Sequence, residues 1–247
     1  MPITLTPVPK QMSVGASDVP AFENERFHLG IPESIGDAAR AIWFGSVEPK
    51  WEALDDGAWL QTARLENELS YAITLTPYDD VIDIHVKLTN ESDRTWANSL
   101  AFNCFNVGGP SVRDHECVRH WCRVGGEFKR LVEVPRKFSR RATIQLYSVE
   151  GQPPGSEIPF VHNFRATPEE LDLEGWLAVV SRDGTRLVAT ASKPTLFLFQ
   201  NMEYSCIHAA PSLGRLEPGE TGEAINRIYF VEASLAEWHL RMLTDWF

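Results

Sequence analysis

Histidine is the side chain whose ordinary pKa falls near neutrality, and two of the seven histidines in this chain stand among other groups able to carry protons. His162 is followed by Asn163, Phe164 and Arg165 at the end of Glu150 to Arg165, a connection interrupted by Pro153-Pro154-Gly155 and Pro159. His208 follows Gln200, Asn201, Glu203, Tyr204 and Cys206. A histidine can act as general acid or base, and a Glu or Tyr can take the opposite protonation role. That pairing suits epimerisation of a sugar, or elimination from one. His162, His208, Glu203 and Tyr204 are therefore the catalytic candidates, with Gln200, Asn163 and Arg165 as binding groups. If the backbone stays extended beyond Gln200, then Gln200, Tyr204 and His208 share a face, because strand side chains repeat every second residue.

Two further sets of residues invite chemistry. Arg136, Lys137, Arg140 and Arg141 form a basic cluster in an acidic chain, and the planar fork of Arg136 or Arg140 would hold a carboxylate or phosphate. A solvated face paired with Glu127 and Glu133 is the plainer account of the same residues. A metal could be held by a subset of His85, His115, His120, His162, His208, Glu116 and Glu203, although their spacing fits no established ligand pattern. No cofactor is expected from the sequence, a divalent metal being the alternative. Cys104, Cys117, Cys122 and Cys206 contain no Cys-x-x-Cys pair and read as buried or free thiols. Dinucleotide, Walker, nucleophile-elbow and His-Glu-x-x-His motifs are all missing from the sequence.

Strands must position these groups. Leu196 to Phe199 is apolar on both faces, as a buried strand is, and Ile225 to Val231 forms a second such run. In Val81 to Thr89, Ile82, Ile84, Val86 and Leu88 alternate with Asp83, His85, Lys87 and Thr89. One side of that strand is packed, and the other, with His85, reads first as a solvated face with paired charges and alternatively as a substrate-binding face. Gly125-Gly126 and Asp183-Gly184 mark hairpins joining Val118 to Val124 with Phe128 to Val134, and Trp176 to Arg182 with Thr185 to Ala191. The spacing of Ile35, Ala38, Ala39 and Ile42 predicts a short helix over 35–44, and Thr167-Pro168-Glu169-Glu170 predicts a helical turn. Ser234 to Glu237 caps a carboxy-terminal helix with Leu235, Trp238, Met242 and Trp246 on one face, expected to close one end of the fold. Ten or more short strands with little helix predict an all-β chain, an antiparallel β-sandwich with a short C-terminal helix. Residues 1–30, with Pro2, Pro7, Pro9 and Pro20, are expected to form an N-terminal arm, and 31–247 a single sandwich domain.

The net charge of -11 disfavours nucleic acid and anionic membrane as partners. No stretch is apolar enough to span a bilayer, and the amino terminus lacks the basic and apolar regions of a signal peptide, which predicts a cytoplasmic chain. A small carbohydrate is the expected ligand, and a homo-oligomer is compatible with the composition.

The stretch from Val81 to Asp93, an alternating strand running into Asn90-Glu91-Ser92-Asp93, resembles the strand and turn of galactose mutarotase-like sandwich proteins. Leu216-Glu217-Pro218-Gly219-Glu220 with its following strand is similar to the late part of those domains. The resemblance implies a mutarotase-like supersandwich and, in the aldose epimerases of the family, a His and a Glu acting on the ring oxygen and the anomeric hydroxyl. His162-Asn163-Phe164 is similar to the family's His with aromatic and Asn neighbours, in a different order, and no segment matches the family's catalytic Glu. The sequence thus predicts an isomerase or lyase acting on a sugar. The alternatives are a carbohydrate-binding or assembly subunit without turnover, and a metal-dependent sugar-active enzyme.

Overall fold

The computed structural model describes residues 2–43, 45–135, 144–160 and 172–246. In chain order its first strands are β1 (Thr4–Pro7), β2 (Ser13–Ser17), β3 (Phe27–Asp37), β4 (Ile42–Trp43), β5 (Lys50–Ala53) and β6 (Trp59–Leu65). There follow β7 (Leu69–Pro77), β8 (Val81–Asn90), β9 (Trp96–Asn106), β10 (His120–Val124), β11 (Glu127–Arg130) and β12 (Ile144–Tyr147). The last are β13 (Trp176–Val180), β14 (Leu187–Lys193), β15 (Thr195–Asn201), β16 (Cys206–Leu216) and β17 (Thr221–Val231), before helix α1 (Leu235–Asp245).

These strands make the expected antiparallel sandwich. One sheet has eight strands, in the order β1-β2-β3-β9-β16-β15-β12 with β4 added at β3, and the other has nine, in the order β11-β10-β13-β14-β17-β8-β7-β6-β5. Alternation decides which side of each strand enters the core. Ile82, Ile84, Val86 and Leu88 of β8 are fully buried against Leu29, Ala101, Phe105, Ile207 and Ala209 of the facing sheet. The outer face of the nine-stranded sheet carries a second apolar layer of Trp176, Ala189 and Tyr229, over which α1 lays Trp238 and Met242. The helix therefore covers a sheet face and does not close an end of the sandwich. Its cap is the expected one, with Ser234 Oγ accepting from the Glu237 amide and the Glu237 carboxylate reaching back to the Ser234 amide. Neither α1 nor any other helix of the described residues is long and apolar enough to cross a membrane.

Two local expectations are corrected. Residues 35–43 do not form the helix expected over 35–44: Ile35 and Ser34 of β3 pair with Ile42 and Trp43 of β4, and with Ala101 and Phe102 of β9. Gly36 adopts φ +126, which breaks a helix and suits the turn of the chain here. The segment expected as an arm supplies β1 and β2, which pair with each other and through β2 with β3, so residue 30 falls inside a strand. The helical turn predicted at 167–170 lies outside the described residues.

Both predicted hairpins form, with Val124 opposite Glu127 and Val180 opposite Leu187. In the second, the Asp183 carboxylate accepts from Ser181 Oγ at 2.6 Å, Thr185 Oγ1 at 2.8 Å and the Thr185 amide at 3.1 Å. These bonds, Ser181's foremost, hold the carboxyl below its ordinary value of 3.8. Because the folded-state value is the lower one, the contribution to stability is complete above the unfolded pKa and is lost as pH falls through the folded one. Asp183→Asn is expected to be less stable at neutral pH and to show a shallower decline of stability below pH 3.8, measured by urea unfolding across that range.

Candidate functional site

A cavity of about 430 Å³ opens on the outer face of the eight-stranded sheet, the side turned away from the core. Its floor consists of two lateral rows across four strands. In one row His28 of β3 pairs with Asn106 of β9, Asn106 with Cys206 of β16, and Cys206 with Asn201 of β15. In the next, Gly30 pairs with Cys104, and His208 with Phe199. Trp43, Gln11 and Tyr204 line the rim, and Phe102 joins the floor.

The carboxyl of the lining comes from an irregularity. Between Gly30 and Ser34 on β3 the chain spends more residues than between Cys104 and Phe102 on β9, so the register shifts and Glu33 is delivered to the cavity. Gly30 permits the close approach here, since a Cβ at that position would lie 3.3 Å from the Cys104 Cβ.

Burial dominates the electrostatics of the floor. It pushes the Glu33 carboxyl up to about 7, with a hydrogen bond to Cys104 pulling the other way. His208 is fully enclosed, and burial pushes its imidazole down to about 3, so the ring is neutral. The ring stacks on Phe102 at 4.3 Å and meets Phe199 edge-on at 5.1 Å. Its Nδ1 has no hydrogen-bond partner and lies 3.9 Å from Glu33 Oε2. The Cys104 thiol is driven well above its usual range by a hydrogen bond with Cys206 and by burial. All four cysteines are free thiols, as expected.

Of the residues singled out from sequence, His208 and Tyr204 line the cavity, Tyr204 as an exposed group at its mouth. The extended run from Gln200 to His208 does not exist: β15 ends at Asn201, the chain turns, and β16 returns from Cys206. Asn201 Oδ1 accepts from the Glu203 amide and Ser205 takes φ 51, an Asn-initiated turn that the sequence Asn201 to Ser205 could have announced. Gln200 consequently pairs with Ile207 and is buried, whereas Glu203 sits exposed on the turn. His85 lies on the outer face of the other sheet, bonded to Glu223 at 3.0 Å. His162, Asn163, Arg165, Arg136 and Arg140 lie outside the described residues.

The histidine and carboxylate subset considered for a metal is dispersed among the described residues. His115 bonds the Met202 carbonyl at 2.7 Å and His120 the Asp114 carboxylate at 3.2 Å. What the fold brings together is Cys104, Cys206 and His208. Cys206-x-His208 was legible as two donors on one strand face, but its partner Cys104 belongs to another strand. Glu33, His28 and Trp43 likewise gave no sequence signal, because cross-strand register alone places them here.

The chain matches no protein-family model, and no curated protein matches it. Solved structures do match it in shape. The galactose mutarotase related enzyme from Lactobacillus acidophilus superposes with TM-score 0.50 at 9% identity, covering 94% of this chain and 98% of its own. A galactose mutarotase-like protein from Lactobacillus casei gives 0.49 at 12% identity, with 93% and 100% covered. The GalM/aldose epimerase homologue from C. elegans gives 0.45 at 8% identity, with 94% and 99% covered. At such identities the likeness is one of fold, and the sandwich is of the mutarotase-like type.

Proposed function

We propose that this chain is a carbohydrate-active enzyme of epimerase type that binds a monosaccharide on the outer face of the eight-stranded sheet. The observation that carries this reading is the meeting of a carboxyl, a phenol, two imidazoles and three carboxamides around one cavity of about 430 Å³ with an aromatic wall. That volume lies in the usual range for small-ligand sites, about 300–1,000 Å³. The mutarotase-like fold agrees with it but does not by itself supply an activity.

In this reading Asn106 and Asn201 hold sugar hydroxyls, and Trp43 offers an apolar face to the ring. Glu33 and a partner, Tyr204 or His28, take the two protonation roles. One removes the proton from the anomeric hydroxyl while the other protonates the ring oxygen, the ring opens to the aldehyde, and closure in the reverse sense returns both protons. Glu33 thus takes the role that the sequence suggested for Glu203. His208, being neutral and enclosed, belongs to the floor and not to the proton relay.

The test is anomer exchange followed by NMR for a panel of neutral and acidic aldoses. The expected result is an exchange rate that rises in proportion to protein concentration for at least one sugar. A sugar that binds in the cavity without faster exchange would overturn the epimerase reading and leave a carbohydrate-binding subunit. An elimination product, seen as a new unsaturated species, would assign the lyase chemistry instead.

A further inference from the structure

We propose that Cys104, Cys206 and His208 form a binding site for a soft divalent transition-metal ion, zinc or a close relative, whose fourth position opens into the cavity. One ligand atom from each residue lies within 4.8 Å of the other two. A tetrahedral ion with metal–sulfur distances of about 2.3 Å and metal–nitrogen distances of about 2.0–2.1 Å spaces its donors by roughly 3.5–3.8 Å. The remaining gap is at most about 1 Å, a distance on the scale of a thiol's swing about its Cα–Cβ bond.

The donor set selects the metal. Two thiolates and an imidazole favour a soft or borderline ion over calcium or magnesium, which take oxygen ligands. Two thiolates also neutralise a divalent charge, so the filled site carries no net charge into a buried place where an unpaired ion would be costly. The imidazole is preset for the task. Its buried Nδ1 has no hydrogen-bond partner, and stacking on Phe102 with an edge contact to Phe199 fixes the ring plane. Glu33 is hydrogen-bonded to Cys104 and borders the open side. A carboxylate there can orient a ligand or receive a hydrogen bond from a metal-bound water. Cys122 has no such company, its thiol donating to the Lys129 carbonyl on the far sheet.

The metal site does not rest on the sugar reading, because it can be measured without a sugar. The reduced, metal-stripped protein is titrated with Co(II) and then with Zn(II). Binding of about one equivalent is expected, with a sulfur-to-cobalt charge-transfer band, the visible bands of tetrahedral cobalt, and displacement by zinc. Cys104→Ser and Cys206→Ser are expected to weaken binding by more than about 100-fold, since loss of an outer partner of a ligand already costs about 10–100-fold. Cys122→Ala should keep the bands at unchanged affinity, and Glu33→Gln should keep the bands while weakening binding by no more than the about 10–100-fold of a lost outer partner. Circular dichroism of each variant separates loss of binding from loss of fold, and Cys104→Ser carries the test if His208→Ala does not fold. The proposal is overturned if the reduced wild-type protein shows no cobalt bands, or if the Cys104→Ser/Cys206→Ser double variant shows the same ones.

Discussion

Glu33→Gln is expected to lower the rate of anomer exchange by about 10²–10⁴-fold, the usual contribution of a positioned general acid or base. Gln has nearly the shape of Glu and leaves the register shift in β3 unfilled by anything larger, so the cavity should keep its form. What it cannot do is take up and release a proton. Affinity for the sugar should change only a few-fold, because Asn106, Asn201 and Trp43 remain in place. A large fall in kcat with a small change in KM is therefore the expected pattern, read from NMR exchange at several sugar concentrations. Wild-type exchange in Glu33→Gln would remove Glu33 from the chemistry. Since the same variant is expected to keep the tetrahedral cobalt bands, failure of the acid–base role and failure of the metal site remain distinguishable.

The second large effect is one of stability. Trp238→Ala is expected to cost about 3–5 kcal/mol, the range for deleting a large buried aromatic. Trp238 is 1% exposed and meets Trp176 edge-on at 5.0 Å and Tyr229 at 5.6 Å. Removing it unseats α1 from the outer face of the nine-stranded sheet and exposes the apolar layer beneath. Against a total of about 5–15 kcal/mol for a typical domain, that is a substantial fraction. Trp238→Phe should be much milder, because the indole nitrogen makes no hydrogen bond to lose. Urea unfolding of the two variants checks this; equal losses would mean that ring packing is not what seats the helix. Sugar binding below the unfolding transition should be unaffected, since the cavity is on the other sheet.

The sequence was most legible where one element explains itself. The alternation in β8, the glycine turns of the β10–β11 and β13–β14 hairpins, and the Ser234 to Glu237 cap all depend on residues a few positions apart, and all are found as expected. Residues 35–44 misled because Ile35, Ala38, Ala39 and Ile42 match a helical period, while the pairing of Ile35 with Ala101 that outweighs it lies far away in the chain. The site was legible only in part for the same reason. His208 and Tyr204 stood out by type, but period two tells which face a residue takes and not which strand lies beside it. Glu33 and Cys104 reach His208 from β3 and β9, whose register no local pattern reveals.

The register shift in β3 also separates two properties that enzymes often trade against each other. The residues that hold the sandwich together lie on the inner faces and under α1, while Glu33 arrives on a short excess of chain confined to one place between Gly30 and Ser34. Replacing Glu33 alone within that excess would change which group enters the cavity, while its neighbour Ile31 keeps its place in the core. In an evolving lineage, or in a designed series, such a strand is a socket into which different chemistries can be fitted on one unchanged frame.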